Sequence, residues 1–202
     1  MSQVTDYPER ITKEEVNERP LGSFQGEILT LSSEVEAIKV LESLIDEPVL
    51  GFDTETKPVY KKGDQHLPAL IQLATSDKAY LFQLKALGGI DLLLPILENP
   101  EVKKVGVGLR DDIMNLKKIR AVNAEGFEEI GTLTQHLGIV NTGLRALSAL
   151  FLNFRISKKE QLSNWERREL TESQKRYAAT DAWVSYSLYI KVVSVLVERK
   201  IL

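Results

Sequence analysis

The stretch Val49–Thr56, VLGFDTET, constrains this chain more than any other. Val49, Leu50 and Phe52, with a Gly among them, read as a short apolar strand of the kind buried on both faces of a sheet. Asp53 and Glu55 follow two residues apart, so in a strand both carboxylates project from one face. Two neighbouring acids in an apolar setting repel each other and lose hydration unless a cation lies between them. A hard divalent ion such as Mg²⁺ prefers oxygen ligands and answers that need. A strand end running out to solvent, with both acids hydrated, is the plainer alternative.

The surrounding pattern alternates strands with helices. Thr12-Lys13-Glu14-Glu15 has the capping-box form and predicts a short helix closed by Pro20. Residues 26–31 read as a strand. Ser33 with Glu36 opens a helix whose apolar face is Val35, Ile38, Leu41 and Ile45, ended by Pro48. After the acidic strand comes a polar loop that brings Lys57, Lys61 and Lys62 near the acids. Residues 69–75 and 79–83 predict a hairpin around Ser76-Asp77-Lys78. Residues 91–98 read as helix despite Pro95, and 102–108 as a strand. Asp111 or Asp112 then opens a helix with Ile113, Leu116 and Ile119 on one side. Residues 128–137 and 143–152 read as two more helices. Thr171 and Gln174 cap a long final helix running towards Glu198. The order predicts one α/β domain, a sheet flanked by helices.

Composition narrows the class. The chain has 202 residues, 43% hydrophobic and 27% charged, enough for one globular domain with a sizeable core. No apolar run approaches the ~18 residues of a membrane span, and the polar start has no secretory pattern. There is no cysteine, which excludes disulfides and Cys-ligated metal, and His66 and His136 lack metal-site spacing. The expectation is a soluble, cytoplasmic protein with no membrane association.

The net charge of −3 argues against a surface basic all over. Residues 153–176, however, hold seven Lys/Arg against four acids, a local +3 that leaves −6 for the rest. Such a strip beside a metal site suits a polyanion, although a solvated loop has the same composition.

Two further acids stand out. Asp112 follows a strand at a helix start, where one of Asp111 and Asp112 suffices as a cap and the other is free. Gly106 and Gly108 begin a dinucleotide fingerprint, but position 111 is Asp, so that reading fails. Asp181 lies inside the final helix among Ala178, Ala179, Ala182 and Trp183, with Tyr177 four residues earlier on the same face. Taken alone, this is a tyrosine–carboxylate hydrogen bond on a half-buried helix.

Taken together, FDTET, GVGLRDD and YAATD resemble, in order and spacing, the three motifs of the DEDD 3′–5′ exonuclease superfamily. Tyr177, where a sister subgroup has His, makes the chain similar to the DEDDy subgroup. LIQLATSDKAYLF and KKVGVGLRDD are similar to the Werner-syndrome exonuclease branch, and KKEQLSNWERREL with YAATDAW to ribonuclease D. Glu169 departs from the Pro common at that position. The resemblance runs from about residue 30 to 195 and implies a ribonuclease H-like fold, a mixed sheet with helices on both faces. It divides the chain into an N-terminal extension, residues 1–30, packing on the core, and an exonuclease domain, residues 31–202.

The resemblance also implies two divalent cations, Mg²⁺ or Mn²⁺. Asp53 would bridge both, Glu55 and Asp181 would complete one site, and Asp112 would support the other through water. Tyr177 would orient the attacking water, a role that suits a phenol of ordinary pKa near 10 better than general base. The implied activity removes nucleoside 5′-monophosphates from a single-stranded or recessed 3′ end. The Werner-like segments favour DNA and the ribonuclease D-like tail RNA, although the extra helical domain of a full ribonuclease D is not expected. A catalytically silent nucleic-acid-binding module and a small-molecule metal phosphatase are the competing functions. Trp165 reads equally as a base-stacking surface or a core anchor.

Overall fold

The computed structural model describes residues 7–61 and 65–202. Its centre is a six-stranded mixed sheet in the order β1-β4-β3-β2-β5-β6. The acidic strand β2 (Val49–Thr56) lies inside it, antiparallel to β3 (Pro68–Ala74) and parallel to β5 (Lys103–Gly106). β4 (Lys78–Gln83) closes the expected hairpin with β3 and pairs in parallel with β1 (Glu27–Leu31) at one edge. The expected division between residues 30 and 31 falls inside β1. Every residue of β3 is buried, as expected for a central strand covered on both sides.

Period-two alternation sorts the side chains into two layers. Leu50, Phe52, Ile71, Leu73 and Phe82 face α2 (Glu34–Leu44) and α4 (Leu109–Ile119). Leu70, Ala74, Ala79 and Leu81 face the other way, onto α7 (Glu172–Glu198). On that second side α1 (Lys13–Glu18), α5 (Ile130–Gln135) and α6 (Leu144–Phe151) pack with the later turns of α7. A 3-10 turn at Asp91–Leu93 runs into the short α3 (Leu94–Leu97). Both α1 and α7 carry the expected capping boxes, at Thr12 and Thr171. Among the described residues no helix is long and apolar enough to cross a membrane.

Three expectations are corrected. α2 buries Ala37, Leu41 and Leu44, whereas Val35 is 64% exposed and Ile38 and Ile45 also face solvent. Its Ser33 makes no capping hydrogen bond, and the helix turns Ala37, Leu41 and Leu44 to the core instead. Neither Asp111 nor Asp112 caps α4: the cap is Gly108, in the left-handed region at φ 81°. The helix expected over 128–137 begins only at Ile130, as α5, because residues 128 and 129 belong to β6 (Phe127–Glu129). This short strand is held by β5 and by the edge of the Phe127 ring on Phe52, centroids 5.1 Å apart.

Candidate active site

β2 and α7 supply the floor of the site. Gly51, Asp53 and Glu55 alternate onto the α7 side of the sheet. α7 presses close there because Gly51 has no side chain: a Cβ would lie 2.0 Å from the Ala182 carbonyl oxygen. Ala178, Ala179 and Ala182 continue the small buried face of the helix. Asp181 is thereby delivered to β2, only 6% exposed. Asp53, Glu55 and Asp181 each place a carboxylate oxygen within 4.8 Å of the others.

Asp112 stands outside that trio. It comes from α4, in the opposite layer, and its Oδ1 accepts a hydrogen bond from the Thr54 hydroxyl, on the strand face turned away from α7. Its charge nevertheless reaches Asp53 and Glu55, pushing both carboxyls up. The start of α4 is fixed by a residue that the sequence did not single out. Glu129 Oε2 accepts from the Gly108 and Leu109 N–H groups, both at 2.9 Å, and Oε1 from Gly131 N–H at 3.1 Å. One carboxylate therefore caps both α4 and α5. An acid at a strand-to-helix junction was the available signal, hidden because the strand was read as helix.

Crowding and burial make these carboxylates hold their protons tightly. Loss of hydration, then the charges of Asp181 and Asp112, raise Asp53 far above the ordinary carboxylate range. Burial and the charges of Asp53, Asp181 and Asp112 push Glu55 to about 10. Asp181 rises to about 7 through burial, against the opposing effect of the Tyr177 hydroxyl. Asp112 rises to about 6, mainly through burial, with the Thr54 hydrogen bond acting against it. Tyr177 is itself raised, by burial and by the three acids, so its phenol stays protonated at neutral pH. Like charges this close ionise together only when a cation joins them.

These groups open into a cleft of about 640 Å³, the size of a small-ligand site. Asp53, Glu55, Tyr177 and Asp181 line it, and so does Lys158. The rest of the strip divides: Lys159 and Arg176 line a smaller cavity of about 210 Å³ that Tyr177 and Asp181 also border, and the others are engaged elsewhere. Arg155 and Arg176 bind the carbonyls of Asn17 and Phe24, Lys175 pairs with Glu172 at 2.7 Å, and Arg167 and Arg168 line a separate cavity of about 680 Å³. Lys57 is tied to Glu166 at 3.1 Å, and Lys62 lies outside the described residues. Trp165 is 1% exposed within the core, which leaves no ring face for a base and settles it as an anchor.

Known proteins share this plan. A family described as 3′–5′ exonuclease matches residues 28–196. The mouse bifunctional 3′–5′ exonuclease/ATP-dependent helicase WRN is 37% identical over 158 residues, 74% of this chain and 11% of that protein. Mouse exonuclease 3′–5′ domain-containing protein 2 is 34% identical over 186 residues, 84% of this chain and 28% of that protein. The chain thus spans less than a third of either relative. The Aedes aegypti Nibbler EXO domain superposes with a TM-score of 0.79 at 23% identity, covering 89% of this chain and 94% of that one. Escherichia coli RNase D does so at 0.72 and 19% identity, covering 87% and 49%. The fold is therefore ribonuclease H-like, and on the family match and the identities the chain belongs to the 3′–5′ exonuclease family, of the DEDDy type.

Proposed function

We propose that this chain is a metal-dependent exonuclease that hydrolyses nucleic acid from its 3′ end and releases nucleoside 5′-monophosphates. The observation that carries the reading is the convergence of Asp53, Glu55 and Asp181, within 4.8 Å, in one cleft with Tyr177. The donor set suits a hard divalent cation: three carboxylates, with Asp181 Oδ1 buried and, among the described residues, without a hydrogen-bond partner. In this reading Asp53, Glu55 and Asp181 would hold the divalent cations, Mg²⁺ or Mn²⁺, and Asp112 would support them from the α4 side. Bound there, the ions would acidify the attacking water and offset charge on both the attacking and the leaving oxygen.

The protein's own groups do the rest. Tyr177, held protonated, orients the attacking water and takes no proton from it. Asp112 is aimed by the Thr54 hydroxyl, and its helix by Glu129. Lys158, in the same cleft, is placed to meet the phosphate backbone of the strand. DNA is the favoured substrate, on the Werner-like segments around β3, β4 and β5. RNA is the competitor, since the E. coli relative is an exoribonuclease involved in structured RNA processing. A cytoplasmic setting fits the cysteine-free composition.

Matched 5′-labelled DNA and RNA strands, single-stranded and with recessed 3′ ends, test this after chelation and re-addition of each ion. Stepwise shortening with Mg²⁺ or Mn²⁺, and binding without turnover in Ca²⁺, is the expected pattern, because Ca²⁺ takes longer and looser bonds. Full activity in excess EDTA would overturn the reading.

A further inference from the structure

Residues 7–24 precede the matched segment, which begins at residue 28, yet they form part of the active-site cleft. Ile11, Lys13 and Val16 line the same cavity as Asp53, Glu55 and Asp181. The segment is a strap stitched down along its length. Asn141 binds the Ile11 backbone twice, accepting from its N–H at 2.8 Å and donating to its carbonyl at 3.3 Å. Arg145 donates to Asn17 Oδ1 at 2.9 Å, and Arg176 to the Phe24 carbonyl at 2.6 Å. Ile11 and Val16 are buried beside α6 and α7. A segment held by both backbone bonds and buried apolar contacts behaves as fixed wall.

The wall is basic where it meets the cleft. Lys13 joins Arg145 and Lys158 there. Among the described residues none of the three has a carboxylate within 4.0 Å. The acids below them want a cation, so these three charges are left to attract an anion that enters with it. A strand whose terminal phosphodiester reaches the carboxylates brings further phosphates past this wall, and phosphate contacts of this kind fix register without reading sequence.

Resting on the nuclease reading above, we infer that the strap of residues 7–24 is part of the substrate site. Lys13 takes a backbone phosphate of the strand whose 3′ end lies at the carboxylates. Arg145 is a positioning residue that holds the strap through Asn17.

The test uses the full chain, with binding of a short fluorescent single strand followed across a salt series in an Asp53→Asn background. Lys13→Ala should weaken binding about threefold and Lys13→Glu about tenfold. Each should flatten the slope of log affinity against log salt by about 0.7, the value for one phosphate contact on a single strand. Glu36→Gln, an exposed position on α2 in the opposite layer, should change neither. In the otherwise wild-type enzyme, Asn17→Ala should raise KM for strands with kcat held, and speed amide exchange in α1. An unchanged affinity and slope in Lys13→Glu, with strand digestion by wild type intact, would reduce the strap to a brace and leave the nuclease reading standing. A wild type that neither binds nor digests strands overturns both.

Discussion

Glu129, at the end of β6, accepts three backbone N–H groups, from Gly108 and Leu109 at 2.9 Å and from Gly131 at 3.1 Å. Around β2, two strands away, Asp53, Glu55 and Asp181 crowd within 4.8 Å, and Asp181 Oδ1 has no hydrogen-bond partner among the described residues. Both groups of acids lie where a strand of the same sheet meets a helix: Glu129 between β6 and α5, Asp53 and Glu55 on β2 against Asp181 of α7. The difference lies in who satisfies the carboxylate. Where the backbone does, the acid is an internal brace whose loss weakens the fold. Where other acids crowd in and few donors answer them, the fold carries a cost that a bound cation removes, and the acid is free to do chemistry.

The sharpest break in this comparison is Asp53→Asn. Cleavage should fall by several orders of magnitude, while the metal-free protein melts no lower than wild type because a repulsion has gone. Turnover within tenfold of wild type would remove Asp53 from the site. Gly51→Ala comes next. Its Cβ meets the backbone of Ala182, which no rotamer change relieves, so α7 must back away from β2. Overpacking of this kind costs about 1–3 kcal/mol, and a shift of about 1 Å at Asp181 should slow cleavage about 10²-fold. Unchanged melting and rate would show that the helix is not seated there.

Glu129→Ala tests the other half of the comparison. Removing the acceptor takes a charged hydrogen bond from one exposed and two part-buried N–H groups, worth together about 1–3 kcal/mol, so here stability should fall along with rate. A melting temperature equal to that of wild type would put Glu129 among the incidental acids. The smallest effect is in pH. Glu55 at about 10, Asp181 at about 7 and Asp112 at about 6 are all raised above the ordinary unfolded value near 4. The folded state therefore holds these protons more tightly. That stability is fully present below pH about 4 and drains away as pH rises through the folded values. In EDTA the melting temperature should fall from pH 5 to 8, and saturating Mg²⁺ should flatten the fall. Glu55→Gln should show a shallower fall than wild type in EDTA; equal slopes would mean the cluster does not titrate as described.

What could be read in advance was what local chemistry dictates. The alternation in VLGFDTET and the capping boxes at Thr12 and Thr171 each need only a few neighbouring residues, and all three were legible. The acids and Tyr177 could be named because resemblance supplied the ensemble that spacing alone left open. The failures share a cause in tertiary contact. Two apolar stripes fit a 3.6-residue period in α2, and only packing against the sheet chooses Ala37, Leu41 and Leu44. β6 has three residues and exists through β5 and Phe52, which no local propensity encodes. The strap was invisible for the same reason: Ile11 meets Asn141 across 130 positions of sequence.

The seat of Ala182 on Gly51 also decides how motion in the longest helix is felt. α7 runs 27 residues, a rod of about 40 Å, and Gly51 admits its backbone close to β2 between Ala182 and Tyr186. With Ala182 taken as the fulcrum of a rocking motion, Asp181 sits one residue from it. Rocking the rod by about 5° would carry Leu196, about 21 Å beyond the fulcrum, through roughly 1.8 Å. Asp181, about 1.5 Å from it, would travel roughly 0.1 Å, and Tyr177, about 7.5 Å away, roughly 0.7 Å. Disturbance at the far end of the helix therefore reaches the tyrosine before the carboxylate, and detunes the water while leaving the cation's seat in place.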